Sequence, residues 1–423
     1  MRCWSAVQDY WRMEPGERGL REHRPRLSSL PLWAQAIGVY LLIHAASIPT
    51  FVWAWMRQGP NRSSYSAGSP DFWTFMSLSW DGVWYHQIAT VGYPPAIPTD
   101  PVTGAVQQSA WAFFPLFPTV VRLIMAVTGL PFVVASPLVA FVAGGGASVL
   151  VALLVRDGAS EATRARLGLP LLAVAALAAF PTGALAMVGY SEALALLLIS
   201  AALLLISRRW YGWACLPMLA LGFTRAIAMP MLAVVIWHGI QRFRSARATH
   251  EPITRRSYLT LGALAGSTLV SGIAWPLVVA MSTGVPNAYF VAQSAWRRGN
   301  STALPFVQFS TKLSEWLGQA ALPALVLIAV AICLLSLTRP VRSVGPELQA
   351  WGAAYLVFLL AVTILESSFL RYVLLSITAP LALVAWSRRR WLQIAMIVVL
   401  MAMQALWIAR IWVFDGPQDS FPP

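Results

Sequence analysis

What most constrains this chain is the recurrence, along its whole length, of apolar runs free of charge and up to the length of a membrane-spanning helix. A helix of about 20 apolar residues crosses the hydrocarbon of a bilayer. A backbone in lipid must satisfy its own N–H and C=O groups, which favours helices. Only 11% of the 423 residues are charged and 58% are hydrophobic, whereas an ordinary soluble domain carries about 25% charge. Too few polar side chains remain to coat soluble domains. The expected fold class is all-α, a polytopic transmembrane helical protein.

The runs fall at 31–56, 131–155, 169–189, 192–207, 211–224, 226–241, 258–281, 316–338, 350–365, 370–387 and 391–409, giving about eleven crossings. The stretch 211–241 carries Arg225 near its middle. Two readings are open there: two short helices meeting at Arg225, or one helix that buries the charge.

The formal net charge of +14 reads as topology rather than as nucleic-acid binding, because the basic residues cluster between apolar runs. With the N-terminus inside, 21 of the 30 basic residues fall on the inner side, while the acidic residues split evenly. Cytoplasmic loops carry this bias. The division is an inner tail over 1–30, a single membrane domain over 31–412 and a short outer tail over 413–423. Two outer loops are long, 57–130 and 282–315. Residues 1–26 are charged, and the first apolar run is too long for a cleaved signal peptide. The apolar segment 113–128 contains Pro115, Pro118 and Arg122. Counting it as a crossing inverts the arginine pattern, so it is expected to lie on or dip into the outer surface.

The first outer loop holds Trp80-Asp81-Gly82-Val83-Trp84-Tyr85-His86. In helical spacing Trp80, Trp84 and Ile88 share one face, with Asp81 and Tyr85 on the next. Such a helix suits the membrane interface, where Trp and Tyr concentrate. Asp81 reads either as a helix cap or as a chemical group. Tyr190-Ser191-Glu192 opens an apolar helix, where an acid is favoured by the helix dipole and can equally serve a site. Arg225 is a functional candidate as an intramembrane charge, or a structural partner of Glu192 or Glu366. A fourth cluster runs from Glu366 to Arg371-Tyr372. Arg297 and Arg298 read as a solvated pair or as ligand contacts. Individually these signals are weak, but Asp81, Glu192, Arg225, Glu366 and Arg371 all map to one side of the membrane. Gly144-Gly145-Gly146 reads as close helix packing. Cys3, Cys215 and Cys333 are scattered, and neither a metal constellation nor a phosphate-cradling loop is present.

The run WDGVWYHQIATVGY and the later AFFPLFP resemble the first-loop signature of the PIG-V family, GPI mannosyltransferase II and its bacterial relatives. FPTGALAMVGYSEAL is similar to that family's Tyr-Ser-Glu motif, Thr224-Arg225 to its Thr-Arg, and Arg371-Tyr372 to its C-terminal Arg-Tyr. Order and rough spacing are kept from about 72 to 390. Phe117 stands where the family has Tyr, and Ile227-Ala228 where it has Asn-Gly. The resemblance implies a GT-C type membrane glycosyltransferase in a bacterial plasma membrane, with its site facing outward. It implies a polyprenyl-phosphate sugar donor, expected to be mannose, a lipid or glycan acceptor, and neither cofactor nor nucleic acid. On this reading Asp81 is the base, Arg225 and Arg371 contact the phosphate, and Glu192 orients the acceptor or an arginine. Trp80, His86, Tyr190 and Tyr372 are the remaining expected substrate contacts. Two other classes stay open. A transporter or flippase of a lipid-linked sugar calls for charges near the midplane and an internal repeat. A non-catalytic membrane subunit calls for a replaceable Asp81.

Overall fold

A computed structural model describes residues 30–58, 70–158, 168–249, 252–297 and 304–413. Almost all of both expected tails, and Arg298, lie outside the described residues. The helices in chain order are α1 (Leu32–Met56), α2 (Phe72–Leu78), α3 (Asp81–Thr90), α4 (Leu116–Thr128), α5 (Phe132–Gly158), α6 (Leu169–Ala179), α7 (Glu192–Ser207), α8 (Tyr211–Leu221) and α9 (Ala228–Thr249). They continue as α10 (Arg255–Thr283), α11 (Ala288–Ser294), α12 (Val307–Leu317), α13 (Ala321–Ser336), α14 (Arg339–Arg342), α15 (Pro346–Val362), α16 (Phe369–Leu374), α17 (Thr378–Ala385) and α18 (Arg390–Ile411). Among the described residues the only extended pairing is an isolated bridge between Thr99 and Val106.

Among the described residues, five helical units are long and apolar enough to cross a membrane: α1, α5, α10, the 30-residue unit Val307–Ser336 and α18. Shorter apolar helices are α4, α6, α7, α8 and α15. Large aliphatic side chains face outward, among them Leu269, Ile273 and Leu277 of α10 and Leu322, Val326 and Leu327 of α13. Soluble monomers rarely expose apolar patches on this scale. Lipid makes them cheap.

Two of the expected crossings are interrupted. The run 169–189 is helical only to Ala179 and resumes as a 3-10 turn, Gly183–Met187. Pro181 supplies no N–H and biases Phe180 out of the helical region. The carbonyls freed at the end of α6 are satisfied from another helix: Gln404 Nε2 of α18 donates to Ala178 O at 2.9 Å and to Phe180 O at 2.8 Å. Its Oε1 accepts from Ser47 of α1 at 2.6 Å. The run 370–387 breaks between α16 and α17, where Ile377 takes a φ of +58°, an unusual conformation for a β-branched residue. The stretch 211–241 is two helices, α8 and α9, with Arg225 in the connection. Segment 113–128 forms the 13-residue α4, whose Phe117, Pro118 and Val121 are buried.

The core lies where α5, α6, α7 and α15 meet. The glycine run of α5 permits close approach on two sides: a Cβ on Gly144 would sit 2.6 Å from the Tyr40 hydroxyl of α1, and one on Gly146 would sit 3.0 Å from Leu197 of α7. At one end of this core Asp157 accepts from Arg208 at 2.8 Å, and His238 lies between Tyr211 and Glu347. At the other end the first-loop helices α2, α3 and α4 pack over α5 and the start of α7, which brings the candidate residues together.

Candidate active site

The corner between α2 and α3 sets the geometry. Asp71 starts α2, with Oδ1 accepting from Trp73 N at 2.9 Å and Thr74 N at 3.0 Å. After α2, Ser79 is extended and Trp80 adopts a φ of +53°. The chain therefore reverses sharply before α3 begins at Asp81. Backbone strain of this kind is tolerated where surrounding structure enforces it. Here the Trp80 ring is buried with Phe51, Phe75 and Trp412. Gly82 is demanded by the same corner, because a Cβ there would lie 1.9 Å from Ser77 O.

Asp81 does not spend its carboxylate on a cap. Its N–H donates to the Tyr190 hydroxyl at 3.2 Å, and its Oδ2 accepts from Arg371 Nη1 at 2.6 Å. From there the charges form a chain. Arg371 Nε lies 3.0 Å from Glu192 Oε1, close enough for a strong ion contact although the N–H is not aimed at that oxygen. Arg225 Nη2 donates to the same Oε1. Side-chain exposures are 13% for Asp81, 7% for Arg371, 1% for Glu192 and 14% for Arg225.

Two guanidiniums and two carboxylates balance formally. Burying charge is tolerable in such pairings, where mutual attraction offsets lost hydration. Tyrosines supply further favourable contacts. The Arg371 guanidinium lies 5.5 Å from the Tyr190 ring and 5.1 Å from the Tyr372 ring, and Arg225 lies 5.5 Å from Tyr372. Such cation–π contacts strengthen as water is excluded. Arg371 Nη2 also donates to the Tyr372 hydroxyl at 3.2 Å.

Local structure explains why these residues meet. Ser191 does not cap α7; its hydroxyl is 2.7 Å from that of Tyr85. That bond ties α3 to the start of α7, so Glu192 stands beside Asp81's corner. Burial pushes the Tyr85 hydroxyl well above its ordinary pKa, so Tyr85 is held as a neutral hydrogen-bonding group. Arg225 reaches Glu192 from the α8–α9 connection. That connection is pinned to α4 by a bond from Leu116 N to Phe223 O at 2.8 Å.

Asp81, Arg225 and Arg371 line one cavity of about 320 Å³. Its wall is completed by Tyr85, Phe113 and Phe114 from the first loop, Trp296 and Gln308 from the second, and Tyr355 and Tyr372. Glu366 stands exposed at its edge. Aromatic rings continue past the wall: Trp84 stacks on Phe113 at 5.8 Å, and Trp296 meets both edge-on. A carboxylate opposite guanidiniums in an aromatic-walled cavity can accept a proton from one ligand while holding the anionic part of another. Among the described residues no group of three or more His, Cys, Asp and Glu side chains could hold a metal ion.

The structure brings together Asp81, Tyr190, Glu192, Arg225, Arg371 and Tyr372. Tyr190 and Glu192 stand behind the cavity wall and hold the residues that form it. Trp80 and His86 are placed elsewhere. Trp80 does not share a face with Trp84, because its left-handed backbone sends its ring into the core under α1 and α18. His86 turns away from the cavity and packs edge-on against Phe132 at 4.9 Å, and burial lowers its pKa. Arg297 ends the short turn Ala295–Arg297. Three wall residues, Gln308, Tyr355 and Trp296, were not singled out from the sequence. They lie in segments without matched motifs, and only the fold carries them to the site. No model of a known protein family matches the chain, and no curated protein matches it either.

Proposed function

We propose that the protein is a membrane glycosyltransferase of GT-C type. On this reading it moves a hexose, expected to be mannose, from a polyprenyl-phosphate carrier to an acceptor hydroxyl on the outer face of the membrane. The observation that carries the reading is that a largely buried carboxylate, Asp81, and two guanidiniums, Arg225 and Arg371, line a single aromatic-walled cavity, with Glu366 exposed at its edge. The orientation, the count of about eleven crossings and the bacterial plasma membrane belong to the same proposal.

The chemistry follows from those three groups. The acceptor oxygen attacks the anomeric carbon from the face opposite the phosphate, so the anomeric configuration inverts. Asp81 takes the acceptor proton as the new C–O bond forms. The bond from the anomeric carbon to the phosphate oxygen breaks, and the electron pair leaves with the polyprenyl phosphate. Arg225 and Arg371 stabilise the charge that develops there. The contact between Asp81 and Arg371 holds base and phosphate site in register. A donor phosphate that takes up Arg371's hydrogen bonds loosens its hold on Asp81 and leaves that carboxylate free to face the acceptor.

The test is transfer from radiolabelled polyprenyl-phosphate mannose in membranes containing the protein. Wild type labels a lipid or glycan fraction. Asp81→Asn lowers transfer by about 10²–10⁴-fold, the usual worth of general-base catalysis. Asp71→Asn and Asp100→Asn retain most activity, because those side chains serve local turns and Asn keeps an acceptor oxygen. Near wild-type transfer by Asp81→Asn refutes the base assignment. Absence of transfer by wild type, with the protein inserted and folded, refutes the glycosyltransferase reading.

A further inference from the structure

Besides Arg371 Nε, which has only its ion contact with Glu192, three buried N–H donors of cavity-lining residues find no acceptor within the protein: Arg225 Nε, Trp296 Nε1 and Gln308 Nε2. They come from three separate parts of the chain, the α8–α9 connection, the turn after α11 and the first turn of α12. An unsatisfied buried donor costs about 1–3 kcal/mol, so three around one cavity are a concentration the fold does not repay by itself. The indole and guanidinium nitrogens can only donate. A ligand that satisfies them must bring acceptor oxygens, and a phosphate brings only acceptors when ionised.

Both second-loop residues are firmly placed. Gln293, three residues before Trp296, donates to Ala112 O at 2.9 Å, which fixes the end of α11 against the first loop. The Trp296 ring is held edge-on by Trp84 and Phe113. Gln308 follows Phe306, whose N–H donates to Ala361 O of α15 at 2.9 Å. The three side chains thus line the cavity, and small rotations about their side-chain bonds bring the occluded N–H groups to a ligand there.

We propose that the N–H groups of Trp296 and Gln308, with Arg225, form a cradle of donors for the anionic phosphate head of the ligand. The second outer loop thereby supplies specificity-determining contacts that lie outside every motif in the sequence. This inference rests on the reading of the cavity as the site for a lipid-phosphate-linked sugar. It adds the claim that phosphate recognition is divided between the arginines and two neutral donors from the second loop.

The experiment measures binding of a polyprenyl monophosphate to the full-length protein in detergent, alongside the transfer assay. Trp296→Phe removes only the indole N–H and keeps a ring for the contacts with Trp84 and Phe113. Gln308→Glu keeps the size and replaces the amide donor with a negative charge. Glu315→Gln is the control, since Glu315 pairs with Lys312 on an exposed face outside the cavity. The expected result is weaker polyprenyl-phosphate binding by about 10-fold in Trp296→Phe. A larger loss is expected in Gln308→Glu, and none in Glu315→Gln. The donor KM should rise in the same order, with unchanged melting temperatures. If both variants bind the phosphate as wild type does while wild type transfers sugar, the cradle is refuted and the glycosyltransferase reading stands. If wild type neither binds the phosphate nor transfers sugar, both fall. If binding weakens equally for a neutral polyprenyl alcohol, the residues hold the lipid tail and the phosphate cradle is refuted.

Discussion

Removing the carboxylate of Glu192 should uncouple both arginines at once. In Glu192→Gln the buried cluster of Asp81, Arg371 and Arg225 passes from formal neutrality to a net charge of +1, and Arg225 loses its carboxylate partner. Breaking a buried ion pair costs about 3–5 kcal/mol because the remaining charge stays desolvated. Arg225 keeps 14% of its side chain open to the cavity, so the lower end, about 3 kcal/mol, applies. An unfolding entropy of ~2.1 cal/mol/K per residue gives ~0.9 kcal/mol/K for a chain of this length, and so a drop in melting temperature of about 3 °C. The assay is thermal unfolding in detergent for wild type, Glu192→Gln, Arg225→Met and the double variant. The double variant restores neutrality, with Asp81 and Arg371 still paired, and should melt above Glu192→Gln. The coupling energy of this cycle isolates the pair. Transfer activity should stay low in the double variant, because Arg225 is also the proposed phosphate contact. A single variant that melts with wild type, or a double variant that melts below the single, would show that charge balance does not hold the cluster together.

Gly82→Ala should lose both folded yield and transfer, since its Cβ would meet Ser77 O at 1.9 Å; normal yield and activity would mean the α2–α3 corner relaxes freely. His86→Gln should change transfer less than about threefold, a bound set by its place against Phe132 and the small effect usual for residues outside a site; a large rise in donor KM would return His86 to the site. The Asp71 carboxyl is held below its ordinary pKa, first by the Thr74 hydroxyl and also by backbone N–H groups. Its stabilising contribution is therefore complete above the unfolded carboxylate pKa and fades as pH falls through the lower folded value. Melting measured from neutral to acid pH should show this loss in wild type and a flatter profile in Asp71→Asn; identical profiles would remove Asp71 as the cause.

The apolar runs by themselves determined the class of structure, because hydrophobicity sustained over the length of a helix leaves the backbone few ways to satisfy itself. They also suggested helix ends where proline, glycine or charge interrupts them; at Arg225 one helix or two stayed open, and the fold decided for two, α8 and α9. Isolated acids and arginines in so apolar a chain marked themselves as candidates, since each carries a desolvation cost that needs a partner. Which partner was not legible. Asp81 and Arg371 are 290 positions apart, and nothing local to either distinguishes a helix cap from half of an ion pair. Helical spacing placed Trp80 and Trp84 on one face, but the positive φ at Trp80 is enforced by the core beneath it and sends the two rings to different neighbours. His86, expected as a substrate contact from the same motif as Asp81, lies a turn further along α3, and its ring packs against Phe132 instead. Trp296 and Gln308 carried no motif at all; they enter the cavity wall only because α11 and α12 are packed against the first loop and α15. Local pattern constrains which segments become helices, whereas the meeting of side chains from remote segments depends on packing that only the folded chain possesses.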